Sequence, residues 1–160
     1  MIEVNSYVDE NPYFTGYDVD QILEDLFADT EDHVDIVVHV TMDEDLDGDR
    51  GGAVHSVDLE LTEYGDVEVH HAEVFICPNA CTSERDVLET LCHELIHVKQ
   101  YVTGLLKEDY NRLGFVWLDR PWTYVFIPFN ELTSDAPWEI EAEEQGMKLF
   151  AKYFAKSVDI

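Results

Sequence analysis

The chain has 160 residues, enough for one domain of ordinary size, and 46% of them are hydrophobic, which supplies a sizeable core and argues against global disorder. Acidic residues outnumber basic ones 36 to 9, a formal charge of −27, and such a surface repels phosphate backbones and anionic membranes alike. Neither nucleic acid nor a membrane is therefore an expected partner. The charge reads as a solubility device, suited to a salty cytoplasm or a viral protein, or as a field that gathers basic substrates, and salt dependence of activity separates the two.

The N-terminus, Met1-Ile2-Glu3-Val4-Asn5, has no basic n-region and no apolar h-region, so no signal peptide is expected. No window approaches the ~18 uninterrupted apolar residues of a membrane span. Three cysteines, an odd count, fit a reducing cytoplasm. Cys77 and Cys81 flank Pro78, but no further Cys or His pair at finger-like spacing completes a second metal site, and buried or idle thiols are the default. Nothing in the sequence speaks to oligomeric state.

In chain order, the first helix is expected over Val19 to Ala28, capped by Asp18 with Gln21 in the capping-box position and an apolar stripe of Ile22, Leu23, Leu26 and Phe27. Three strands follow: Asp35 to Met42, rich in β-branched residues; Ala53 to Glu63, alternating at Val57-Asp58-Leu59-Glu60-Leu61; and Asp66 to Cys77. Tyr64-Gly65-Asp66 makes a tight turn between the last two, and the three together read as an antiparallel meander. The acidic loop Asp43 to Asp49 imitates the start of a calcium loop, but its twelfth position is Val54 where a bidentate Glu is needed, so it reads as a solvated loop.

A long helix is expected from Glu84 to Thr103, with Ser83 as N-cap and Gly104 as the stop. Lys107 to Pro137 reads as irregular and aromatic, interrupted by Pro121 and Pro128. A last helix runs from Pro137, a good first-turn residue, to Ala155, with Ile140, Met147, Leu149, Phe150 and Phe154 as its core residues. The whole is a single α+β domain over residues 1–160.

The long helix carries His93-Glu94-Leu95-Ile96-His97. Residues four apart in a helix project from one face, so His93 and His97 can place two imidazole nitrogens on one ion. Glu94 sits beside the first of them and can take a proton from a metal-bound water as it attacks a carbonyl. Shuffling this composition yields such a pattern in roughly 3% of chains. Here it also lies mid-helix in an apolar surround, where charged residues do not belong without a purpose. Zinc is the expected metal. A catalytic zinc needs a third protein ligand and an open fourth position, and Glu139, Glu141, Glu143 and Glu144 lie together at the start of the last helix. Ala142 is small enough to let the two helix axes approach.

With these residues in hand, the chain resembles the gluzincin branch of zincin metallopeptidases, most of all small one-domain versions such as those of phage genomes and the peptidase part of ImmA/IrrE-like proteins. The resemblance covers about Val67 to Phe154 and implies a small zincin-like α+β fold: a sheet of three or more mostly antiparallel strands packed on the motif helix and a C-terminal helix. In that branch the third ligand is a Glu in a Glu-x-x-x-Asp or Glu-x-x-Ala-Asp/Asn pattern, and Glu139-Ile140-Glu141-Ala142-Glu143 is similar, with Glu143 where the family has Asp or Asn. This implies Glu139 as ligand, Glu141 as runner-up, and Glu143 orienting a ligand histidine through its far ring nitrogen. It also implies an edge strand that binds an extended peptide, for which His70 to Ile76 is the candidate. His70 and His71 point to opposite faces of that strand and read as structural; His33, His39 and His55 have no partner spacing. An oxyanion helper is expected among Tyr124, Arg112 and Tyr153.

The function so implied is a cytoplasmic zinc peptidase acting on peptides or exposed protein segments, with Glu94 as general base and His93, His97 and Glu139 as metal ligands. A zinc hydrolase of another amide is a second enzymatic reading. The competing class is a non-catalytic zinc-binding interaction module, against which Glu94 argues, since a structural site needs no base and prefers four protein ligands. A DNA-linked protease of the SprT kind shares the helix, but the acidic surface and the lack of a third histidine nearby disfavour it.

Overall fold

The computed structural model describes residues 3–8, 18–29, 35–42, 52–54, 58–61, 68–77, 81, 83–120 and 123–154. The calcium-like loop at 43–49, the turn at 64–66, and His33 and His55 lie outside them. The elements in order are β1 (Glu3–Val8), α1 (Val19–Leu26), β2 (Asp35–Met42), β3 (Gly52–Val54), β4 (Asp58–Leu61), β5 (Glu68–Ile76), α2 (Glu84–Val102), β6 (Leu106–Asp109), β7 (Gly114–Arg120), β8 (Thr123–Pro128) and α3 (Pro137–Tyr153). The result is a small α+β domain, as expected, and among the described residues four of six strand pairings are antiparallel. Among the described residues no helix is long and apolar enough to cross a membrane.

The first sheet runs β1-β2-β5-β3, with β4 also pairing on β5. The hairpin pairing is as read: β4 lies antiparallel on β5 with Leu61 facing Glu68. The meander is not. β2 pairs with β5 in parallel, from Asp35 facing Val69 to Met42 facing Ile76, and β1 pairs with β2 in parallel across α1. The alternation in β2, with Ile36, Val38 and Val40 buried, says which face meets the core; it carries no information about which neighbour the backbone bonds. The expectation of an edge at His70 to Ile76 also fails. β5 bonds β2 on one side and β3 and β4 on the other, and β3 takes the outer position.

Ser83 caps α2 through a hydrogen bond from the Asp86 N–H at 3.2 Å, and Gly104, at φ 78°, lets the chain turn off at its end. Asp18 caps α1 by accepting from the Gln21 N–H at 3.1 Å, but the Gln21 side chain reaches forward to Asp25 instead of back to the cap, so the box is only half formed. Leu88, Leu91, Leu95 and Val98 of α2 share one buried cluster with Ile36, Val38, Ala72 and Val74 of the first sheet, Ile22 and Leu23 of α1, and Ala142, Leu149 and Phe150 of α3.

The segment Lys107 to Pro137, expected to be irregular, instead carries most of a second antiparallel sheet of β6, β7 and β8. Pro121 falls between β7 and β8 and Pro128 at the end of β8, so both bound strands and break none, while Phe115-Val116-Trp117 and Tyr124-Val125-Phe126-Ile127 supply β-formers. This sheet makes a second small core of Leu106, Trp117, Ala136 and Trp138. That core fixes the entry to α3. On α3 itself, Ile140 and Met147 are exposed at 47% and 44%, against expectation, and Trp138, Ala142 and Gly146 take the buried positions. At Gly146 the backbone of α2 lies so near that a longer side chain has no room, while Trp138, Leu149 and Phe150 fill buried positions elsewhere along the helix.

Candidate metal centre

The motif lies in the middle of α2, and α3 crosses it at His93. A Cβ added to Gly146 would stand 3.1 Å from the His93 Cα and 3.2 Å from its backbone nitrogen. The only relief is to move the backbone that carries a ligand. Gly146→Val is therefore expected to destabilise the protein by about 1–3 kcal/mol, seen as a fall in Tm of roughly 2–4 °C for each kcal/mol. An unchanged melting curve would mean that the helices slide apart freely.

This close crossing brings Glu139, in the first turn of α3, onto the two histidines. His93 Nε2 lies 3.2 Å from Glu139 Oε2, His97 Nε2 lies 3.3 Å from Glu139 Oε1, and the two Nε2 atoms are 3.1 Å apart. No distribution of protons bonds all three edges. A carboxylate brings no hydrogen and each Nε2 at most one, so one edge always has two donors or two acceptors face to face. A single cation at the centre satisfies all three. Zinc holds nitrogen and oxygen ligands at about 2.0–2.1 Å, which in a tetrahedron sets neighbouring donors about 3.3 Å apart, the spacing found. His93, His97 and Glu139 form a group that can hold a metal ion, and among the described residues no fourth His, Cys, Asp or Glu joins it.

The surroundings orient these three. His93 Nδ1 lies 3.5 Å from Glu143 Oε2, the far-nitrogen contact expected of Glu143. His97 Nδ1 meets Gln100 Oε1 at 2.7 Å, and the Gln100 amide donates to the Trp138 carbonyl at 3.0 Å and to Glu141 Oε1 at 3.2 Å. Glu141, the runner-up ligand, is thus engaged one step away from the triangle. Gln100 is almost wholly buried and went unnoticed in the sequence. It stands three residues beyond His97, but α2 carries other polar residues, Glu89 and Lys99 among them, so spacing alone does not single it out. Glu94 is also buried, and its charge acts on His97.

Cys77 is buried, Cys81 lies 4.0 Å from the Thr90 hydroxyl, and neither joins a metal group among the described residues. Burial pushes the Cys92 thiol up to about 12, as suits an inert core residue. Of the nominated oxyanion helpers, Arg112 pairs with Asp109 at 2.7 Å, Tyr153 donates to Asp25, and Tyr124 is exposed on β8.

The titration of the group follows from its geometry. Burial alone would raise the Glu139 carboxyl, but the hydrogen bonds and charges of His93 and His97 outweigh it and hold the group at about 2. Burial would lower His97, yet its bond to Glu139, the charges of Glu94 and Glu139, and Gln100 leave it above its ordinary value. In the metal-free protein the depressed Glu139 contributes stability above the ordinary carboxylate range, lost as pH falls toward about 2. The raised His97 contributes below the ordinary histidine range, and that is lost as pH rises through its raised value. The two overlap at roughly pH 5 to 6. A metal held by His97 Nε2 needs that nitrogen free of its proton, so metal binding releases it. Melting curves with and without zinc are expected to diverge above about pH 7 and to converge below about pH 6. A zinc-induced shift that is constant over this range would exclude His97 as a ligand.

Compared with protein-family models, with curated proteins and with solved structures, the chain matches none.

Proposed function

We propose that this protein is a zinc-dependent peptidase of the gluzincin type, in which His93, His97 and Glu139 hold the metal and Glu94 is the general base. The observation that carries the reading is the triangle of His93 Nε2, His97 Nε2 and the Glu139 carboxylate, built from two helices, with the Glu94 charge buried beside it. Three protein ligands are the number that leaves a position for substrate, whereas structural zinc sites close with four. Zinc, when bound, supplies Lewis acidity, which acidifies water and polarises a carbonyl oxygen. Glu94 accepts a proton from the attacking water and passes it to the departing amine, so a single carboxylate serves both halves of the reaction. Glu139 and the two imidazoles hold their positions throughout. They are set by the helix crossing and need no rearrangement when substrate arrives. The outer strand beside α2 is β3, which among the described residues pairs with β5 alone, and an extended peptide adds there through its backbone. A net charge of −27 favours basic peptides over acidic ones.

The test is cleavage of a mixed unstructured-peptide library by the zinc-loaded protein, read by mass spectrometry. Cleavage is expected, with loss on chelation and recovery when zinc is returned. A zinc-loaded protein that cuts nothing in the library would remove the peptidase reading and leave a zinc-binding module that works by contact.

A further inference from the structure

Among the polar groups buried around the triangle, Gln100 has the most demanding set of partners. One end of its amide faces the His97 Nδ1 at 2.7 Å; the other faces two acceptors, the Trp138 carbonyl at 3.0 Å and Glu141 Oε1 at 3.2 Å. A backbone carbonyl and a carboxylate can only accept, so the NH2 must point at them, and the amide oxygen is left for His97. An amide oxygen only accepts, so His97 Nδ1 must donate; the Glu139 carboxylate 3.3 Å from Nε2 only accepts too, and a neutral ring gives its single hydrogen to the nearer acceptor, Gln100.

We infer that Gln100 is the positioning residue of this centre: it fixes neutral His97 in the Nδ1–H tautomer, with the Nε2 lone pair aimed at the triangle, and it registers the first turn of α3 on α2. The inference rests on the metal-site reading for its purpose, but the hydrogen-bond logic does not depend on it. Without such a partner the imidazole of a neutral histidine can place its hydrogen on either nitrogen, and the Nε2–H form cannot ligate through Nε2. Gln100 also bonds the carbonyl of Trp138, the residue immediately before Glu139. One side chain therefore sets the protonation site of the second ligand and the position of the third. Burial makes the arrangement firm, because Gln100 is 1% exposed and water does not compete for its bonds. Glu141, similar in type to the ligand two residues before it, has its place here as the anchor of the amide.

The test is the tautomer itself, read in metal-free protein by long-range 1H–15N correlation of the histidine rings at a pH where His97 is neutral. The wild type is expected to show a pyrrole-type Nδ1 and a pyridine-type Nε2 at His97. Gln100→Met, which keeps length and removes both hydrogen-bonding ends, is expected to shift the ring hydrogen toward Nε2, which faces the Glu139 carboxylate, and to weaken zinc binding about 10- to 100-fold. Gln100→Glu, which restores an acceptor at Nδ1, is expected to return the Nδ1–H tautomer even though the bond to the Trp138 carbonyl is lost. A wild-type His97 found with its hydrogen on Nε2 overturns the proposal, whether or not the variants fold. So does a Met variant that keeps both the tautomer and the zinc affinity of the wild type. Because the ring signals need neither zinc nor turnover, a protein that binds no zinc but shows the Nδ1–H tautomer would sink the metal reading and leave this one standing.

Discussion

Glu94→Gln is expected to bind zinc about as tightly as the wild type and to lose peptide hydrolysis by a factor of about 10²–10⁴, the usual contribution of a positioned general base. The substitution is nearly isosteric, so the packing of this buried side chain changes little. Its electrostatic effects on the metal oppose one another. The Glu94 charge attracts a cation, and its loss weakens binding slightly; the same charge raises the His97 pKa, and its loss reduces the competition from protons. Neither change approaches the loss of the only group assigned to move the proton. Zinc affinity from competition with a chromogenic chelator, and turnover on any peptide the wild type cuts, separate the two roles. A variant with full turnover would remove Glu94 from the mechanism. A variant that no longer binds zinc would make Glu94 part of the metal's support.

Glu139→Gln is expected to act on the other property. A neutral amide oxygen replaces a carboxylate held at about 2 by its two histidine partners, and the site loses its one charged ligand. Changes to residues that merely orient a ligand weaken metal binding about 10- to 100-fold, so removal of a ligand is expected to weaken zinc by about 100-fold or more. At a zinc concentration that saturates the wild type, 100-fold is about 2.7 kcal/mol of ligand-linked stability. For a chain of this size that is a loss of roughly 5–11 °C from the zinc-induced rise in Tm. Glu141→Gln is the control, since its side chain touches Gln100 and stands outside the triangle. It is expected to keep most of that rise. If the two variants exchanged behaviour, the third ligand would be Glu141.

The limits of α2 and the pairing of His93 with His97 were legible because each depends on local spacing. A cap at Ser83, a stop at Gly104, and two histidines one turn apart need no knowledge of the rest of the chain. Glu139 was legible through a resemblance in pattern, and its approach to His93 and His97 depends on Gly146 and Ala142, small residues whose importance appears only once the helices cross. Ile140 and Met147 look like core because they are apolar, yet α3 turns Trp138, Ala142, Gly146, Leu149 and Phe150 inward and leaves those two exposed. The strand order could not be read, because alternation in β2 and β5 marks a buried face and leaves parallel and antiparallel partners equivalent. The second sheet was hidden by Pro121 and Pro128, which look like breaks within a segment and are the boundaries between its strands. Gln100 was missed because a single polar residue has no pattern of its own: its meaning lies in what stands opposite it across the helix interface.

The central claim is that two imidazoles and one carboxylate hold one zinc ion, with no sulfur. X-ray absorption at the zinc edge of the loaded protein addresses it most directly, together with the metal content per chain. The expected result is one zinc per chain with a nitrogen and oxygen shell at about 2.0–2.1 Å and the scattering signature of two histidine rings. A shell containing sulfur at about 2.3 Å would place the ion on the cysteines at 77 and 81 instead, and a protein that retains no zinc would contradict the account altogether.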